Sequence, residues 1–125
     1  MKPVDQTTFG VPGGNCFSAC VASLLELEVE EVPYFMGEPD WFFAFNRWLR
    51  PRGLYAMNFE GHPERFQGFV PDDARCILGG RSPRGPHAVV GTMSGVTLHD
   101  PHPSRDGLLD IEDSTILVPV DPARR

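Results

Sequence analysis

Two of the chain's three cysteines stand close together in Gly14-Asn15-Cys16-Phe17-Ser18-Ala19-Cys20. Cysteine is an intrinsically strong nucleophile once its thiol is ionised. Asn15 is a residue type that starts helices. Phe17, Cys20, Val21, Leu24 and Leu25 then recur at helical spacing, which predicts a helix from about Cys16 to Leu27. Cys16 therefore belongs in a first helical turn, where unpaired N–H groups and the positive end of the helix dipole favour thiolate and lower the thiol pKa. Gly13 and Gly14 leave the approach to it free of side chains. Such a thiol is either a nucleophile or a structural residue at a helix start. Cys20, one turn further in among Ala19, Val21 and Leu24, is expected to be a buried small hydrophobe.

A thiol nucleophile needs a base, and the base needs an orienting group. Of the four histidines, His62 sits in the polar turn Glu-Gly-His-Pro-Glu and reads as a solvated loop residue. His87 opens the apolar stretch His-Ala-Val-Val and so stands on rigid backbone at a strand start. The segment from His87 to Asp100 reads as a hairpin turning at Thr92-Met93-Ser94-Gly95, with Gly95 suited to positive φ. A turn centred near Ser94 places Asp100 beside His87, where its carboxylate can fix the imidazole tautomer. His99 alternates with Asp100 and is expected on the opposite face. His102, between two prolines, is expected to shape the exit from the strand, and both are left out of the site.

Other elements must position these residues. Asp40 to Gly53 predicts a second helix, capped by Asp40 and stopped by Pro51 and Gly53, its aromatic residues serving core and flank. Leu54–Phe59, Ala74–Gly80 and Thr115–Val120 read as strands, and Pro119 marks the last as an edge or a strand end. Helices first and strands afterwards predict a single α+β domain over residues 1–125, a helix packed on an antiparallel sheet. The terminal Asp-Pro-Ala-Arg-Arg is expected to fray.

Composition limits the partners. The 125-residue chain carries a formal charge of −6 and an isoelectric point near 5.1. That argues against nucleic acid as the main partner, since phosphate binding needs a basic face, although arginines cluster locally in Arg47–Arg52 and Gly79–Gly85. No apolar run approaches the ~20 residues that cross a bilayer, and the N-terminus lacks the apolar core of a secretory signal, so a cytoplasmic location is expected. An odd number of cysteines in such a chain predicts free thiols. Thirteen prolines and thirteen glycines predict short elements joined by many turns.

The Gly-Asn-Cys-Phe segment resembles the nucleophile segment of papain-like cysteine peptidases, and His-Ala-Val-Val resembles their histidine strand. The chain order Cys, His, Asp is similar to theirs. The Asp100-Pro101 pair is closest to the bacteriocin-processing, double-glycine leader peptidases and related bacterial or phage hydrolases. The resemblance runs from about Gln6 to Pro101. It implies Cys16 as nucleophile, His87 as general base, Asp100 as its orienter, and Gln6 as an oxyanion-stabilising amide, with Asn15 as a substitute for Gln6. The stretch between Gln6 and Cys16 is longer and richer in glycine than in papain, and aspartate stands where papain has asparagine. A cysteine peptidase or amidase acting on a peptide, protein or small amide, with no cofactor and no metal, is what the resemblance implies.

Three other readings compete. Cys16 and Cys20 with His87, His99 or His102 could ligate zinc, although metal cysteines usually come in close pairs on turns and Cys76 stands alone. A thioredoxin-type pair requires two intervening residues, and three are present. The third is an inactive papain-like fold used as a protein-binding module. Substrate contacts are expected from Glu31–Phe43 and from the loop Gly79–Pro86, where Arg81 and Arg84 either attract a carboxylate or remain solvated.

Overall fold

The computed structural model describes residues 1–10, 13–121 and 123. The expected frayed tail lies outside them except for Asp121 and Ala123. The chain is α+β, two short helices followed by a five-stranded antiparallel sheet.

Helix α1 spans Cys16–Leu25, and Phe17 through Ser23 are all buried. A helix apolar on every side needs cover on every side. Its neighbours in the core include Val4, Phe45, Ile77, Ala88 and Val90. Near its C-terminal end the chain's N-terminal segment adds hydrogen bonds from the N–H groups of Lys2 and Val4 to Ser23. The helix stops two residues before the expected end because Glu26 turns left-handed (φ 58°), and the Glu26 and Leu27 N–H groups both return to the Ala22 carbonyl. Asn15 occupies the cap position without capping through its side chain, a correction to the expected role.

Helix α2 spans Trp41–Leu49, buries Phe45 and Leu49, and tightens into a 3₁₀ turn at Arg50–Arg52 before Gly53. Asp40 precedes it but does not cap it. Its carboxylate pairs with Arg47 instead.

The strands are β1 (Leu54–Glu60), β2 (Arg75–Ser82), β3 (Gly85–Thr92), β4 (Thr97–His99) and β5 (Asp110–Pro119), in sheet order β1-β5-β2-β3-β4. Three strand expectations need correction. β5 begins at Asp110, well before Thr115, and lies inside the sheet between β1 and β2, so Pro119 marks a strand end and not an edge. The Gly79–Pro86 stretch is mostly strand, because β2 runs directly into β3 through the two-residue turn Pro83-Arg84. The Ser82 hydroxyl closes that turn, donating to the Gly85 carbonyl and accepting from the Arg84 N–H. Lastly, a bulge between Val90 and Gly91 shifts the β3–β4 register, with His99 opposite Val90. Extended along the strands, that register puts residue 102, not 100, across from His87.

The sheet has a core on each face. One gathers α1, α2, Ile77, Ala88 and Val90; the other gathers Val70, Cys76, Leu78, Val89 and Met93. The period-two alternation of Ile77 and Leu78, and of Val89 and Val90, between these cores follows from strand geometry. Among the described residues no helix is long and apolar enough to cross a membrane.

Candidate active site

Cys16 opens α1, and His87 lies on β3, the strand against which α1 packs. Both line one cleft of about 890 Å³, which Gln6 also lines. Phe9, Tyr34, Met36 and Trp41 supply much of its apolar wall, and Glu60, Arg65, Glu112 and Asp113 supply charged groups. Gly79 and Gly80 form part of its floor. A Cβ on either would collide with β5, at the Asp113 carboxylate or the Asp110 carbonyl, so this strip of the cleft carries no side chain.

His87 and Asp100 are both buried, and His87 Nε2 lies 2.7 Å from Asp100 Oδ1. Because a carboxylate can only accept, Nε2 holds the proton and donates it, leaving Nδ1 of the neutral ring as an acceptor. Among the described residues Nδ1 makes no hydrogen bond. Asp100 accepts two further hydrogen bonds, from the His102 N–H (2.9 Å) and the Gly107 N–H (2.7 Å). Burial pushes its carboxyl up, but the bond from His87 and these two backbone bonds outweigh that and hold it below the ordinary carboxylate range. The sequence expectation that Asp100 meets His87 therefore agrees with the structure, although the bulged register brings it there from a neighbouring position.

Cys16 differs from its expectation. Its thiol is half-buried, and burial pushes the pKa up. Backbone hydrogen bonding from Ala88, Phe17 and Cys16 itself pulls the other way without overcoming that, and the negative charge of Asp100 adds to the rise. The helix start alone does not make a thiolate here. Cys20 is fully buried, with its thiol raised well above normal, and Cys76 is pushed up to about 12 by burial. All three cysteines are free thiols. Cys16 and His87 share no hydrogen bond among the described residues. Nor do any three His, Cys, Asp or Glu side chains among them converge on a metal position.

Gln6 is buried and donates one amide hydrogen to the Thr8 carbonyl at 3.0 Å, while its Oε1 has no partner. Its own N–H donates to the Pro101 carbonyl at 3.1 Å. Arg105 holds the same junction, with two bonds to the Asp5 carboxylate and one of 2.6 Å to the Asp100 carbonyl. Asn15, the expected substitute for Gln6, is not among the described residues that line the cleft. Its Oδ1 accepts the Thr7 and Thr8 N–H groups and its Nδ2 donates to Thr7 Oγ1, so it ties the N-terminal loop to the start of α1. Gly14 fits closely there, since a Cβ would lie 2.5 Å from the Gly10 carbonyl.

His102, expected only to shape the exit from the strand, instead lines the cleft with its ring edge-on to His87, centroids 6.1 Å apart. Asp-Pro-His carried a signal for this, because an aspartate side chain readily accepts the N–H two residues on and turns that residue back beside it. His99 faces away, bonded to the Val4 carbonyl and to Asp5. Arg81 pairs with Asp110 and does not line the cleft; Arg84 does line it, paired with Asp106. His62 accepts the Glu64 N–H in the turn where it was expected.

Comparison with protein-family models, with curated proteins and with solved structures finds no match.

Proposed function

We propose that this chain is a papain-like cysteine hydrolase, cleaving an amide bond in a peptide, protein or small molecule through a thioacyl intermediate on Cys16. The reading is carried by one observation: a buried Asp100–His87 pair at 2.7 Å leaves an unshared imidazole Nδ1 in the same cleft as an α-helical N-terminal thiol.

In this reading His87 Nδ1 takes the Cys16 proton as sulfur attacks the substrate carbonyl carbon. The C–S bond forms and the carbonyl π electrons move to oxygen. The raised pKa of the isolated thiol makes the imidazolium the source of thiolate stability, in place of the helix dipole. The Cys16 N–H and the second amide hydrogen of Gln6 are suited to hold the oxyanion. Collapse of the tetrahedral species expels the amine, which takes the proton from His87. Water, deprotonated by the same nitrogen, then releases the acid and restores the thiol.

The half-buried thiol without a bond to His87 favours a second reading, a papain-like fold that binds a partner in this cleft without chemistry. Incubation with p-nitrophenyl acetate separates the two. The hydrolase forms an acetyl adduct on Cys16, found by peptide mass spectrometry, and continues to release p-nitrophenol, whereas His87→Ala and Cys16→Ala do neither. Absence of the adduct on wild-type Cys16 would leave the binding module.

A further inference from the structure

The loop after β4 fixes the state of the His102 ring. Ser104 Oγ accepts from Arg84 Nη1 at 3.2 Å and from the Asp106 N–H at 3.3 Å. Those two bonds occupy its acceptor sites, so its own hydrogen is left to donate, and His102 Nδ1 lies 2.9 Å away. The Ser104 backbone N–H points at the same nitrogen, at 3.0 Å. Nδ1 therefore accepts twice and carries no proton, which puts the ring hydrogen on Nε2. Protonating Nδ1 would set an N–H against the Ser104 N–H and add a positive charge near Arg84. Asp106 pairs with Arg84, and Asp100 takes the backbone N–H of His102, with no bond to its ring.

The ring is held between two others. Phe9 meets it edge-on with centroids 5.4 Å apart, and His87 does so from 6.1 Å. It lines the cleft, and among the described residues its Nε2 has no partner. A half-buried N–H donor without a partner, beside the base, suits an acceptor on the substrate.

We infer that His102 is a neutral, Nε2-protonated imidazole that donates a hydrogen bond to a substrate oxygen beside the reacting bond, favouring a carbonyl-bearing group over a cationic one. The role toward substrate rests on Cys16 being the nucleophile; the state of the ring does not. The ring nitrogens read the state directly. Long-range proton–nitrogen correlation spectra of the whole protein at pH 7 should show His102 as the neutral Nε2–H tautomer. An Nδ1–H tautomer or an imidazolium overturns the inference. The role is read from two alkylating reagents on Cys16, iodoacetamide, which carries a carbonyl, and 2-bromoethylammonium, which carries a cation and no acceptor. His102→Phe should lower the iodoacetamide-to-bromoethylammonium rate ratio about fivefold, the worth of one hydrogen bond. His102→Gln, which keeps an N–H donor, should restore most of it. An unchanged ratio in His102→Phe overturns the inference and leaves the nucleophile standing. If Cys16 alkylation is indifferent to His87→Ala, the nucleophile itself fails and takes the role of His102 with it.

Discussion

The two sides of the cleft are built differently. On the strand side, every polar atom of the Asp100 carboxylate is committed: Oδ1 to His87 and the His102 N–H, Oδ2 to the Gly107 N–H. On the helix side, the hydrogen bonding that draws the Cys16 pKa down comes from the backbone of Ala88, Phe17 and Cys16, and burial overrides that pull. In the hydrolase we propose, the fold spends its hydrogen bonds on holding the base, His87, and leaves the Cys16 nucleophile dependent on that base for its charge. A helix N-terminus is worth at most about 2 kcal/mol to a charge beside it, and the cost of desolvating a thiolate readily exceeds that. A reactive cysteine in such a place needs a cation, and in the proposed mechanism His87, in the same cleft, supplies it.

The contrast predicts that damage to the strand side is the more severe. Asp100→Ala strands a buried imidazole N–H and two backbone N–H groups, and should cost about 3 kcal/mol in urea unfolding; a loss under about 0.5 kcal/mol would show that the pair is not the anchor described. The acid limb follows from the same carboxylate. Its folded pKa is depressed, so its stabilisation is present above the unfolded value near ~3.9 and is lost as pH falls through the lower folded one. The stability gap between wild type and Asp100→Asn should accordingly narrow below about pH 4.

On the helix side, Asn15→Ala removes three hydrogen bonds between the N-terminal loop and the start of α1. These are solvent-exposed, so about 1–2 kcal/mol is expected, with slower Cys16 alkylation as the loop shifts. Unaltered alkylation would mean the loop does not shape the thiol's surroundings. The smallest effect belongs to Arg105→Ala, an exposed side chain bonded to the exposed Asp5 carboxylate and to the Asp100 carbonyl. Thermal stability should barely move, while the Gln6 amide exchanges its hydrogen faster and the Leu78 amide does not. Equal exchange at Gln6 in the two proteins would remove Arg105 as the clamp on that junction.

Much of this was legible in the residues. Apolar spacing after Asn15 located α1, and the Thr92–Gly95 turn located the hairpin, because both signals are local. The first half of β5 was missed because Asp110, Glu112 and Asp113 give it the composition of a loop. They are tolerated there because Glu112 and Asp113 face an open cleft and Asp110 pairs with Arg81. The β2–β3 turn was missed because Gly, Pro and Arg suggested a longer loop than the Ser82 hydroxyl allows. The thiol's raised pKa was not readable at all, since burial depends on what the rest of the chain lays over a helix start. His102 was readable, and the Asx turn after Asp100 is the signal that finds it.

The dependence of the thiol on its base is tested most directly by iodoacetamide alkylation of Cys16, Cys20 and Cys76 across pH 4 to about 9, followed by peptide mass spectrometry in wild type and His87→Ala. Cys20 and Cys76 should stay unlabelled in the native protein. Cys16 should react at neutral pH in wild type and lose at least about tenfold of that rate without His87, its profile moving alkaline toward the raised pKa of the isolated thiol. A Cys16 profile identical in the two proteins, or a Cys16 protected like Cys20, would contradict the account.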